Sequence, residues 1–119
     1  MAADDSIKSI DPQSPYYLHP ASNTNLIISP VVLREDNYGE WARSVRNAFK
    51  ANNKVVFLDG TIKQPDVTSA NYSQWVQVQS MLGAWIHNTL DASIRPTVPL
   101  TDDVKDMWAD IKQRFSLGN

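Results

Sequence analysis

The stretch whose reading decides the fold is Asn37-Tyr38-Gly39-Glu40-Trp41-Ala42-Arg43-Ser44-Val45-Arg46-Asn47-Ala48-Phe49-Lys50. Tyr38, Trp41, Val45, Ala48 and Phe49 recur at helical spacing and share one face. Arg43, Arg46, Asn47 and Lys50 fall mostly on the other. Asn37 and Glu40, three apart, predict a capping box: the Asn side chain accepts from the first turn and Glu40 reaches back to the Asn37 N–H. Asn52 and Asn53 are the expected stop, because Asn tolerates the left-handed conformation that ends helices.

Toward the C-terminus, Val55-Val56-Phe57-Leu58 fits either a brief strand or one turn of helix. Asp59-Gly60 then marks a turn, with positive φ expected at the glycine. A second helix is predicted from Ser69 or Ala70 to about Thr89. Its stripe is Trp75, Val78, Leu82, Trp85 and Thr89, widened by Tyr72, Ile86 and Leu90. Gly83 inside it should cost about 1 kcal/mol against Ala, which points to close approach of another helix. Asp91 is placed to cap a short turn that Pro96 limits. A third helix is predicted from Thr101 as its cap, with Asp102 and Asp103 favoured by the helix dipole. Its apolar face is Val104, Trp108, Ile111 and Phe115, with Met107 at the margin. Gly118 is the expected helix end.

Toward the N-terminus, residues 1–13 read as a disordered tail. Ser14-Pro15-Tyr16-Tyr17-Leu18-His19-Pro20 follows, and its prolines favour an extended arm. Leu26-Ile27-Ile28 and Val31-Val32-Leu33 are short β-favouring runs split by Pro30, which restricts any strand to an edge. The expected fold is mainly α: a small helical domain of three main helices with a short turn helix and an extended or β-like N-terminal segment. Its core is expected at Tyr38, Trp41, Val45, Phe49, Trp75, Leu82, Ile86, Trp108, Ile111 and Phe115.

The totals narrow the function. A chain of 119 residues is one domain at most. Its formal charge of −2 supplies no overall drive toward nucleic acid or an anionic membrane. The absence of cysteine removes disulfides, thiol nucleophiles and Cys-ligated zinc. No apolar run reaches the roughly 18 residues of a membrane span. Met1-Ala2-Ala3-Asp4-Asp5-Ser6 does not read as a signal peptide, and a cytoplasmic location is expected.

Candidate chemistry is sparse. Asp59-Gly60-Thr61 has the wrong order for an aspartic protease. His19 and His87 have no clustered carboxylate, and no glycine-rich phosphate loop occurs. No catalytic, metal or cofactor site is expected, and neither is a small-molecule substrate. Arg43, Arg46, Lys50 and Lys54 are spaced to line one basic ridge, which would allow weak RNA contact.

The ordered set Asn37-Tyr38-x-x-Trp41, Asp59-Gly60-Thr61 with Pro65, Tyr72-x-x-Trp75, Trp85-Ile86 with Leu90, Met107-Trp108-x-x-Ile111 and Arg114-Phe115-Ser116 resembles the N-terminal Gag region of plant copia-type LTR retrotransposons. The leader from Ser14 to Pro20 resembles that family's leader. This resemblance spans residues 14–119 and implies a Gag N-terminal helical domain, shorter than a full Gag. It implies a structural protein that assembles into particles enclosing the element's RNA, with the family's zinc knuckle and enzymes outside these residues. The expected function is a self-associating capsid-type domain without catalysis. The alternatives are a host-retained monomeric binding module that uses the Tyr16-Tyr17-Leu18 arm or an exposed helix face on an unknown protein partner, or a folded relic without function.

Overall fold

A computed structural model describes residues 10–117. Among them are four α-helices: α1 Tyr38–Ala51, α2 Val55–Asp59, α3 Tyr72–His87 and α4 Val104–Phe115, with a 3₁₀ turn at Arg95–Thr97 between the last two. The protein is mainly α, and no sheet forms among the described residues. No helix among them is long and apolar enough to cross a membrane.

Helix α1 buries Trp41, Val45 and Phe49, each four residues from the next, so one narrow stripe faces the core. Its start differs from the expected capping box. Asn37 is the N-cap residue by position, but its side chain makes no cap hydrogen bond. Instead Nδ2 donates to the Val32 carbonyl at 2.9 Å, and Oδ1 accepts from the Arg34 N–H at 2.7 Å. With φ −132° and ψ 29°, Asn37 lies outside the β-region backbone that points a cap side chain over the first turn. Its amide closes the preceding loop, and Glu40 stays exposed.

The β-like N-terminal segment is also corrected. Residues 10–37 form a strap of turns across α1 and α3, not strands. Only Leu33 pairs in a ladder sense, in an isolated parallel bridge with Leu90. Its N–H donates to the Thr89 carbonyl at 2.7 Å and its carbonyl accepts from Asp91 at 3.0 Å. Other strap carbonyls are taken by side chains: Trp85 Nε1–H donates to Asn23 at 2.9 Å, and Asn88 Nδ2–H to Thr24 at 2.7 Å. With side-chain donors filling these acceptors, no neighbouring strand is required. Residues 11–14 form a turn in which the Ser14 N–H donates to the Asp11 carbonyl. The remainder of the expected tail, residues 1–9, lies outside the described residues, as does Gly118.

Helix α3 begins at Tyr72, two or three residues later than expected, because a turn at residues 66–72 precedes it. A Cβ built on Gly83 would lie 3.3 Å from Leu100 Cδ2, so its close neighbour is the loop before α4 and not another helix. The cap of α4 shifts from Thr101 to Asp103. Asp103 has extended backbone and its carboxylate accepts the Lys105 N–H at 3.0 Å. Thr101 Oγ1 instead donates to the Asp103 carbonyl at 2.6 Å. The buried stripe of α4 is Val104, Met107 and Ile111. Met107 is therefore central, while Trp108 and Phe115 flank the core half-buried.

Aromatic rings join the elements. Trp41 meets Trp108 with centroids 5.3 Å apart, Phe49 meets Trp85 edge-on at 6.1 Å, and Phe57 meets Trp75 at 5.8 Å. Each pair links α1 or α2 to α3 or α4. Trp41 Nε1–H also donates to Thr89 Oγ1 at 2.9 Å, and that hydroxyl donates to the Ile86 carbonyl at 2.6 Å. Trp41 and Thr89 are both fully buried, so this pair fixes the register of α1 against the end of α3.

Candidate functional site

The expected core residues divide in two. Trp41, Val45, Phe49, Trp75, Leu82, Ile86 and Ile111 are buried, while Tyr38, Trp108 and Phe115 are partly buried and pack against them. The Asp59-Gly60 turn closes α2, with Gly60 in the left-handed region at φ 72°. Asp59 does not bond nearby backbone. Its carboxylate takes both arms of the Arg46 guanidinium at 2.8 and 3.2 Å, a bidentate pair. That bond raises the Arg46 pKa. Both groups are well exposed, at 45% and 37%, so Asp59→Asn should cost about 0.2–1 kcal/mol. Urea denaturation at low and high salt checks this: the loss should shrink as salt rises.

This pairing, together with Lys54, breaks the basic ridge. Helix α1 ends at Ala51, and Asn53 takes a left-handed φ of 59°. The chain therefore turns before Lys54, which leaves the line of Arg43, Arg46 and Lys50. Lys54 is 4% exposed and faces the strap, so it is corrected from an RNA-contact candidate to an interior group. Arg43 and Lys50 remain the outward cations of the ridge. Two phosphate contacts would give a shallow salt dependence.

The histidines serve local structure. His19 Nδ1 accepts the Ala21 N–H at 3.1 Å. His87 Nε2–H donates to the Val98 carbonyl at 2.7 Å, which ties α3 to the loop before α4. Among the described residues no three His, Asp or Glu side chains gather as metal ligands would.

The Tyr16-Tyr17-Leu18 arm lies on its own domain. Tyr16 packs edge-on against Phe57 at 6.0 Å. The Tyr17 carbonyl accepts from Lys54 Nζ at 2.6 Å, and the Gln13 carbonyl accepts from Asn53 Nδ2 at 3.0 Å. Strap, α1 and α2 thus form a continuous unit through residues of the N-terminal half. Residues 19–66 match the model of a family described as Gag-polypeptide of LTR copia-type. The N-terminal region is therefore copia-type Gag-like, and the match covers less than half of the chain. No curated protein and no solved structure matches the chain.

The Gag-like segment does not enclose its own core. Trp41, Phe49 and Phe57 lie inside it, while the rings that cover them, Trp108, Trp85 and Trp75, lie beyond it. The folding unit therefore extends through α3 and α4. Sequence reasoning missed two residues that hold it together. Gln79 is buried and its Oε1 accepts the Val104 N–H at 2.6 Å. Its position between Val78 and Leu82 in an apolar stripe was the available signal. The Asn52-Asn53 stop signalled that Lys54 leaves the helix, but its burial had no signal, since that depends on the strap lying over it.

Proposed function

We propose that this chain is a non-catalytic structural module of copia-type Gag origin that works by associating with copies of itself. The carrying observation is the joint one: a Gag-like segment at residues 19–66, completed into one helical core by α3 and α4. The outer face of α3 supports the association. Val76 is 44% exposed, and Leu100, which sits against Gly83 seven residues along that helix, is 61% exposed. Apolar side chains left in water on one face favour a partner surface. The strap's own docking, with Tyr16 on Phe57, weighs against an arm held free for a host protein. A cytoplasmic site of action belongs to this same reading.

The test is light scattering coupled to size-exclusion chromatography over a concentration series. The expected result is a mass that rises above the monomer with concentration, and a smaller rise for the Val76→Lys, Leu100→Lys double variant. A monomer mass at every concentration overturns self-association.

A further inference from the structure

Beneath the strap lies a buried cation that no carboxylate among the described residues neutralises. Lys54 Nζ donates to the Tyr17 carbonyl at 2.6 Å and to the Asn52 carbonyl at 3.2 Å. An ammonium carries three N–H donors, so one is left over among the described residues. No carboxylate among the described residues pairs with it, and its pKa is lowered by desolvation alone. A charge taken out of water without a counter-charge is costly unless something pairs with it. Lys54 lines a cavity of about 370 Å³ together with Ser14, Tyr17, His19, Ser22 and Asn52. That volume lies within the roughly 300–1,000 Å³ of small-ligand sites.

We propose that this cavity binds a small carboxylate, with Lys54 as its counter-charge. Carboxylate oxygen takes the third N–H of Lys54. Ser14 assists: its Oγ accepts the Tyr16 N–H at 3.1 Å, which leaves its own hydrogen to donate. A monoanion fits better than a phosphate dianion. Lys54 brings one full positive charge, and His19 Nδ1 is already taken as the acceptor of the Ala21 N–H. This site is separate from the outer face of α3 and does not rest on self-association.

The experiment is an amide-resolved NMR titration of the full chain with sodium acetate, then with inorganic phosphate, at constant ionic strength. Expected are saturable shifts at Ser22, Asn52, Lys54 and the Trp85 indole, which also lines the cavity. Lys54→Met should weaken acetate at least about tenfold, as loss of a charge-assisted hydrogen bond does. Lys50→Met, an exposed cation in the last turn of α1, should leave acetate binding unchanged. In the wild-type chain the Lys54 pKa should rise on saturation, a readout that holds even if Lys54→Met unfolds. The same titration of the Asp4→Asn, Asp5→Asn variant separates two carboxylate sources. Unchanged affinity assigns the site to a free carboxylate, and tighter acetate binding assigns it to an acid of the chain itself. Shifts that never saturate, that persist in Lys54→Met, or that saturate with phosphate alone overturn the proposal.

Discussion

Trp41→Ala is expected to remove about 3–5 kcal/mol of folding stability, the largest loss for any single change considered. Trp41 is fully buried, and three kinds of contact end there. Its ring lies 5.9 Å from Tyr38 within α1 and 5.3 Å from Trp108 on α4. Its indole N–H donates to Thr89 at the end of α3. Alanine leaves a cavity at the junction of three helices and also removes the donor that Thr89 accepts. Small domains hold about 5–15 kcal/mol in total, so the variant approaches the unfolding threshold. Trp41→Phe isolates the polar part: it retains most of the packing and loses the hydrogen bond, and should cost about 1–3 kcal/mol. Urea denaturation followed by circular dichroism measures both. Wild-type stability in Trp41→Ala would mean that α1 does not pack on Trp108 and Thr89.

That junction also crosses the boundary of the Gag-like segment. Residues 19–66 supply Trp41 but neither Trp108 nor Thr89. The segment that matches is therefore dependent for its core on residues that do not. The folding unit is the whole of α1 to α4 and not the matched piece alone.

Helices were readable in the sequence because their apolar stripes follow a period that any core imposes. Trp41, Val45 and Phe49 define α1 from spacing alone, and Trp75, Val78, Leu82 and Trp85 define α3 in the same way. Polar end chemistry was less legible. Asn37 has the right residue type for a cap, but its amide had competing acceptors and donors at Val32 and Arg34, visible only once the loop is folded. The β-favouring runs before α1 misled for a related reason: Leu26 to Leu33 is apolar enough for a strand, yet Asn88 and residues 89–91, just beyond helix α3, serve the Leu26 carbonyl and the Leu33 N–H and carbonyl. Lys54 failed as a ridge residue because helical spacing was carried across a turn that breaks it.

Gln79→Met should cost about 1–3 kcal/mol, the penalty for a buried donor left unpaired. Methionine matches glutamine in length, so packing between Trp75 and Leu82 is largely kept. What disappears is the acceptor at 2.6 Å for the Val104 N–H, the first residue of α4 and itself buried. Helix starts leave N–H groups that need partners, and here Gln79 serves one while Asp103 serves the Lys105 N–H. Gln79→Glu sharpens the test. It keeps an acceptor for Val104, but replaces the amide N–H that faces Asp103 Oδ1 at 3.4 Å with a second carboxyl. Burial and the neighbouring Asp103 charge both raise the introduced carboxyl's folded pKa above its unfolded value. A raised pKa means that the folded state binds the proton more tightly, so the variant's stability is fullest below the unfolded value and falls as pH rises through the folded one. Urea midpoints of Gln79→Glu should therefore drop between mildly acidic and neutral pH, whereas those of Gln79→Met should track the wild type across the same range. If the two variants share one pH profile, Gln79 does not face Asp103 at the start of α4.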